Sequence, residues 1–440
     1  MHREISAVLC TTLQGFTQGM AKTKSLFCAI LLFAVCGYVQ LIIVVMHVDL
    51  KAGGDILKQK FNRPRQLAVF PELNALDNTN LTKFGPDAQH AKNTNSIGKM
   101  PPAIVDCPRK VHLWATKAGE LGYSKGVYDV KCPGSTCDVR LTVDISFDTM
   151  QKSEALVLFH WTRWNWDAMH SHRPKGQKWV FYTLESPRHT MHHVIPPQEY
   201  YNNSYDYIMT YRYDSDFRAD YGQYIAGKPE ISANDTRNWA KGRSRLVVWM
   251  ASNCRGTSWP RMDFVKRLGR YVPVDMYGRC GNQSCRAGTE DCERKLKQHK
   301  FLLALENSEC TDYITEKFWI QALVKEIVPI VFGPPRSDYE KVAPPNSFIH
   351  IQDFNTTKEL GEYLKKVDGD DALYNRYFEW KKKGSLKPYG GPTKNIMCYL
   401  GDRLEADAQR VRDGTYKPPK QKDWKVWWTD SCKKKGKIPN

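Results

Sequence analysis

The stretch Lys300 to Lys317, KFLLALENSECTDYITEK, runs from an apolar strand into Glu306 and Asn307, then through a short loop to a helix predicted to open near Thr311 or Asp312. In an open α/β sheet ligands bind beyond the carboxyl ends of the strands, and a helix N-terminus there turns free N–H groups toward an anion. A nucleoside diphosphate suits such a place. Lys317, about a turn into the helix, would add a point charge and Glu316 would accept from ribose hydroxyls; a solvated helix face is the competing reading. Leu246 to Arg261, LVVWMASNCRGTSWPR, repeats the arrangement, with Pro260 in a first helical turn and Arg261 shaped to clamp phosphate oxygens, or else an ordinary surface arginine. In Trp179 to His189, WVFYTLESPRH, Glu185 ends a strand before a proline, as a general base facing a cleft would, or as a plain loop glutamate. Trp161, Trp164 and Trp166 are of the type that stacks on sugar faces, although tryptophan serves core packing more often.

Three patterns suggest a metal, and each meets an objection. Asp214-Ser215-Asp216 is the Asp-x-Asp with which many glycosyltransferases hold a divalent cation on a nucleotide sugar, but the tripeptide is common by chance. His189, His192 and His193 would gather on one helical face, yet Pro196 and Pro197 downstream argue for a loop. Cys280, Cys285 and Cys292 lack Cys-x-x-Cys spacing and have no histidine at finger spacing.

These residues need elements to position them. Short apolar runs at Lys110 to Ala115, Val139 to Ile145, Ala155 to Trp161, Trp179 to Leu184 and Tyr205 to Tyr211 predict one set of strands. After the charged stretch Gly227 to Arg245, a second set follows at Leu246 to Ala251, Val272 to Tyr277, Phe301 to Leu305, Ile327 to Phe332 and Phe348 to Ile351. Helical patterns at Met262 to Arg270, Asp312 to Val324 and Lys358 to Val367 alternate with the second set, which predicts a parallel sheet wound with helices on both faces. Two such blocks would enclose a cleft.

The composition, 41% hydrophobic and 25% charged over 440 residues, excludes disorder, collagen and coiled coil as the main architecture. A net charge of +18 suggests an anionic partner without choosing among nucleic acid, acidic lipid, sulfated glycan and phosphorylated substrate. Ser25 to Val48 carries no charged side chain and, at about 1.5 Å per residue, crosses a hydrocarbon core of roughly 30 Å; it is too long for a signal peptide and lacks a small-residue cleavage site. Lysines on both sides leave the orientation open on charge alone. The sequons at Asn80, Asn202, Asn234, Asn282 and Asn355 all follow the span and favour a lumenal C-terminal portion. Cys10 precedes the span and Cys28 and Cys36 lie within it, so an even number of the 13 cysteines remains beyond it, as disulfides in an oxidising lumen require. The polar, aperiodic region 49–106 reads as a stem.

Taken together, FYTLESPRH from Phe181, YRYDSDF from Tyr211, VVWMASNC from Val247, VDMYGRCG from Val274, KFLLALENSECTDYITEKFW from Lys300, VPIVFGPPRSDYEKVAPPNSFIHIQDF from Val328 and YNRYFEWK from Tyr374 resemble the α1,3-fucosyltransferase family, Golgi enzymes that use GDP-fucose. The resemblance covers roughly residues 107 to 400 in order. It implies an α/β protein of two Rossmann-like domains facing a cleft (GT-B type), preceded by one transmembrane helix and a stem. The corresponding divisions are a cytoplasmic tail 1–24, a signal-anchor 25–48, a stem 49–106, an acceptor-side domain 107–235, a donor-binding domain 236–400 and a basic tail 401–440. It further implies Glu185 as catalytic base, donor binding by Arg261, Glu306, Asn307, Tyr313, Glu316 and Lys317, and Trp161 and Trp164 on the acceptor side. The expected reaction is inverting transfer of L-fucose from GDP-fucose, α1,3, to an N-acetylglucosamine or glucose-type residue of a glycoprotein or glycolipid glycan. No cofactor or metal site is implied, a divalent cation being at most stimulatory, and no nucleic acid is expected as partner; the implied location is the Golgi membrane, single-pass type II. Two other functions stay open on the residues alone: a metal-dependent Golgi glycosyltransferase built on Asp214 and Asp216, and a membrane-tethered glycan-binding protein without activity.

Overall fold

The computed structural model describes residues 107–190, 192–286, 288–388, 395–419, 422–432 and 438–439. The expected tail 1–24, membrane span 25–48, stem 49–106 and sequon Asn80 lie outside the described residues. No helix among the described residues is long and apolar enough to cross a membrane.

Two parallel sheets organise the chain. The first contains β1 (Arg109–Trp114), β4 (Gly126–Val130), β5 (Val139–Asp144), β6 (Ala155–Phe159), β7 (Lys178–Thr183), β8 (Tyr207–Thr210) and β9 (Phe217–Arg218), in the order β4-β5-β1-β6-β7-β8-β9 with only β4 antiparallel. A small hairpin of β2 (Lys117–Ala118) and β3 (Tyr123–Ser124) interrupts it. The second contains β11 (Arg245–Met250), β12 (Val274–Tyr277), β13 (His299–Leu305), β14 (Val328–Phe332) and β15 (Ile349–His350), all parallel, in the order β12-β11-β13-β14-β15. Between the two, β10 (Gly222–Ala226) pairs antiparallel with β16 (Gly384–Pro388), and Gly222 lies so close to Trp319 that an added Cβ would come within 2.6 Å of its ring.

Alternate residues of a strand face opposite sides of its sheet. In β13 Phe301, Leu303 and Leu305 enter one core while Leu302 and Ala304 enter the other; all seven residues are buried, and from Phe301 on the strand is a continuous apolar run. The first sheet does the same with Val180 and Tyr182 on one side of β7 and Trp179 and Phe181 on the other. Helices cover the second sheet: α1 (Arg261–Leu268), α2 (Glu290–Lys297) and α3 (Thr357–Asp368) among them. Thr356 caps α3 by accepting from Glu359 N at 3.1 Å, and Glu359 accepts in return from Asn355 N at 2.9 Å, which fixes where that helix begins.

Within the segment read as a basic tail from residue 401, the described residues include folded elements. Helix α4 (Asn395–Arg412) inserts Ile396, Met397, Leu400 and Leu404 into the core of the first sheet, and Cys398 is disulfide-bonded to Cys132. Trp424 and Trp428 fill the opposite core of that sheet. Lysine-rich composition masked this: an apolar stripe at helical spacing needs a partner face, and the first sheet provides it. The other disulfides are Cys107–Cys137, Cys254–Cys280, Cys285–Cys292 and Cys310–Cys432, so the three clustered cysteines are structural cross-links rather than zinc ligands.

Candidate active site

The strand order of the second sheet reverses between β11 and β13, and the crevice beyond their carboxyl ends is where open α/β sheets take ligands. Glu306, the residue after β13, is fully buried. Its carboxylate accepts from Thr315 N at 2.8 Å and Thr315 Oγ1 at 2.9 Å, and lies 3.1 Å from Lys317 Nζ. Gly333 permits this approach, since a Cβ there would stand 2.6 Å from Glu306 Cβ. Lys317 Nζ also donates to Thr315 Oγ1 at 2.9 Å and Glu316 Oε1 at 3.0 Å. Burial pushes the Glu306 carboxyl above its ordinary range, with the Lys317 charge opposing. Burial also works against the Lys317 ammonium, but Glu306 and Glu316 outweigh it and hold its pKa above the usual lysine value. The ammonium therefore stays charged at neutral pH.

The helix expected to open at Thr311 or Asp312 opens later, as the wide-turned helix Lys317–Leu323. Asp312 adopts a left-handed backbone (φ 62°) and its N–H is taken by buried Asp338 at 2.9 Å. The flanking N–H groups are also spent, Thr311 on Ser431 O, Tyr313 on Cys310 O, Ile314 on Asp312 O and Thr315 on Glu306. Lys317 consequently begins the helix instead of lying a turn inside it.

Glu185 follows β7, beyond Leu184, at the matching end of the first sheet. Its N–H donates to Thr183 Oγ1 at 2.9 Å, and its Oε1 accepts from Ser186 N at 2.7 Å. Two donors reach it from the other half: Tyr313 OH at 2.5 Å and Asn307 Nδ2 at 3.3 Å. Ser186 and Ser308 join the same two strand ends through their hydroxyls at 2.9 Å. Burial lifts the Tyr313 phenol well above its ordinary pKa, with the Glu185 charge adding to it, so the tyrosine remains a donor. All three bonds fall on Oε1, which leaves Oε2 outside this network.

Glu185, Asn307, Tyr313, Glu306, Glu316 and Lys317 are thus brought together. Arg261 lies beside them but turns inward: it is 3% exposed, donates from Nη1 to Leu305 O at 2.9 Å and from Nη2 to Asn253 O at 2.5 Å, and stitches the ends of β13 and β11. Burial lowers its pKa, with Glu306 opposing. The Trp164 ring is buried edge-on against His193 and Trp166, while Trp161, after β6, is 53% exposed. Asp214 pairs with Arg212 at 2.9 Å and accepts from Trp427 Nε1 at 2.6 Å, while Asp216 accepts from Ile208 N at 2.9 Å, so the Asp-x-Asp pair is committed to the protein's own groups. His193 bonds Thr162 O at 3.0 Å from the loop side. Asn234, Asn282 and Asn355 are exposed, and Asn202 lies in the short helix Gln198–Asn203. Thr315, Ser186 and Ser308 were missed. For the two serines the available signal was a hydroxyl within two residues of a strand-end glutamate, in Glu185-Ser186 and Glu306-Asn307-Ser308; Thr315, nine positions from Glu306, carried none.

Two family models match this chain: Glycosyltransferase family 10 (fucosyltransferase) C-term over residues 240–417, and Fucosyltransferase, N-terminal over residues 108–222. The Homo sapiens 4-galactosyl-N-acetylglucosaminide 3-alpha-L-fucosyltransferase is 35% identical over 287 residues, 63% of this chain and 71% of the relative. The chain belongs to glycosyltransferase family 10, the fucosyltransferases. This fucosyltransferase is also 37% identical over 321 residues to the Drosophila melanogaster glycoprotein 3-alpha-L-fucosyltransferase A, covering 72% of its own length and 58% of the relative's. A solved α1,3-fucosyltransferase with GDP-fucose aligns at a TM-score of 0.44 and 17% identity, over 70% of the fucosyltransferase and 94% of that chain.

Proposed function

We propose that this fucosyltransferase moves L-fucose from GDP-fucose, in α1,3 linkage and with inversion, to an N-acetylglucosamine or glucose-type residue of a glycoprotein or glycolipid glycan. The observation that carries the reading is the meeting of Glu185 with Tyr313 and Asn307 across the two sheets, beside the Lys317 ammonium. As fucose leaves GDP, its anomeric carbon gains oxocarbenium character and negative charge grows on the diphosphate. The Lys317 ammonium supplies positive potential there, and Arg261 keeps the surrounding strand ends in place. From the opposite face of the sugar, Glu185 takes the proton of the attacking acceptor hydroxyl, and a single displacement inverts the centre. In this reading the exposed Trp161 face meets the acceptor.

The two parallel sheets support a GT-B arrangement, with 107–235 on the acceptor side and 236–400 on the donor side, to which α4 adds a return crossing. We place the protein in the Golgi membrane as a type II chain, anchored by 25–48 with its catalytic part lumenal; five disulfides and exposed sequons agree with an oxidising lumen. No divalent cation is required. The deciding experiment incubates the protein with GDP-fucose and a panel of antenna, N-glycan-core and glycolipid acceptors and maps the product linkage by mass spectrometry. Fucose appearing in another linkage, or on no acceptor, would overturn the reading.

A further inference from the structure

The C-terminal segment from Lys422 to Cys432 touches every loop that carries the reacting groups. Trp424 and Trp428, each 1% exposed, lie on the β7 and β8 side of the first sheet, with Trp428 5.4 Å from Phe181 and 6.0 Å from Tyr211 between ring centroids. Trp428 Nε1 donates to Thr190 Oγ1 at 3.2 Å, in the turn that follows Glu185. Trp427 O accepts from Arg212 Nη1 at 2.5 Å, and Trp427 Nε1 donates to Asp214 at 2.6 Å. The same segment then crosses to the donor half. Ser431 O accepts from Thr311 N at 3.0 Å and Thr311 Oγ1 at 3.1 Å, and Cys432 is bonded to the buried Cys310.

The turn so held, Cys310 to Thr315, carries Tyr313. Its ring stands edge-on to Tyr211 at 5.0 Å, and Tyr211 in turn contacts Trp428, so the tyrosine that reaches Glu185 is fixed both by its backbone and by its ring.

We propose that Lys422 to Cys432 is a strap that positions Tyr313, and through Tyr313 the Glu185 carboxylate, by tying the acceptor-half core to the Cys310–Thr315 turn. The strap residues are positioning residues and touch no substrate. Asp214, conspicuous in the sequence as half of a metal motif, has the role of anchoring the strap. The inference rests on the reading of Glu185 as base.

The test is a double-mutant cycle on the full chain. C310S/C432S releases the turn, W427F removes the bond to Asp214 and alters the ring's contacts with Arg212, Lys422 and Trp428, and Y313F deletes the hydroxyl the strap is said to place. Turnover with GDP-fucose and acceptor, and GDP affinity by calorimetry, are measured for each variant and for its combination with Y313F. C310S/C432S should lower kcat about tenfold and W427F about threefold, and neither should lower it further by more than about twofold once Tyr313 is already phenylalanine. A strap that merely stabilises the fold would multiply its effect with that of Y313F, and multiplication, or wild-type kcat in a folded C310S/C432S variant, overturns the proposal. If C310S/C432S does not fold, the W427F cycle decides. Failure of the base assignment is separately visible: E185Q would then keep its activity whatever the cycle shows.

Discussion

Glu185 and Glu306 lie just past the ends of parallel strands in the two halves, yet the protein treats them oppositely. Glu306 is sealed: Thr315 satisfies its carboxylate and Lys317 balances it, with no exposed surface. Glu185 is partly exposed, accepts only from neutral donors, and does so on one oxygen. A buried carboxylate with a counter-charge against it is a fixture that holds its cation, whereas one with neutral donors and an uncommitted oxygen can accept a proton. The same residue type after the same kind of strand thus becomes a brace in one half and a candidate base in the other.

Exchanging each glutamate for glutamine should separate the two roles. E185Q is expected to lower transfer by roughly two to four orders of magnitude, the usual worth of a positioned base, with GDP affinity and thermal midpoint close to wild type. A folded E185Q within a few-fold of wild type would erase the distinction. E306Q should instead cost stability, on the order of 3 kcal/mol, because the Lys317 ammonium loses its buried partner and keeps only Glu316; chemical denaturation reads this directly.

Lys317→Ala probes the brace from its other end. A hydrogen bond to a charged group contributes about 1.5 to 3 kcal/mol, so GDP should bind roughly ten- to a hundredfold more weakly and transfer should slow with it. Wild-type GDP affinity in a calorimetric titration would remove Lys317 from the donor site. The variant should also acquire a pH-dependent stability. Burial already raises the Glu306 carboxyl, and losing the lysine charge raises it further. Its proton is then bound more tightly in the folded than in the unfolded state, so the variant's stability falls as pH rises through the raised value and recovers in acid.

The smallest effect is expected from a chelator. Asp214 is tied to Arg212 and Trp427 and Asp216 to the backbone of β8, so excess chelator should leave turnover largely intact. Complete loss, restored by a divalent cation in a protein that remains folded, would move the chemistry from Glu185 to that pair.

Parallel order, ten of the strands of the two large sheets and the motif-bearing loops were legible in the residues, because a strand buried on both faces is a continuous apolar run and a proline or polar cluster marks its end; the short or edge strands β2, β3, β4, β9, β10 and β16, which lack such a run, were not. Both glutamates and Asn307 could be singled out because they stand at such an end, Glu316 and Lys317 because they lie in the helix expected to follow, and Tyr313 only through the family resemblance. Their division of labour could not. Which glutamate is sealed depends on Thr315 folding back onto Glu306 and on Gly333 leaving room for it, contacts across 9 and 27 positions. Arg261 reads as a phosphate clamp until the strand ends close around it, and Trp164 as a sugar platform until His193 covers its ring. The tail reads only as a basic segment until Cys432 meets Cys310, 122 residues away. Local pattern specifies the elements because backbone periodicity and turn chemistry act over a few residues; exposure, ion pairing and long-range cross-links are set by what packing brings alongside, and only the tertiary structure decides that.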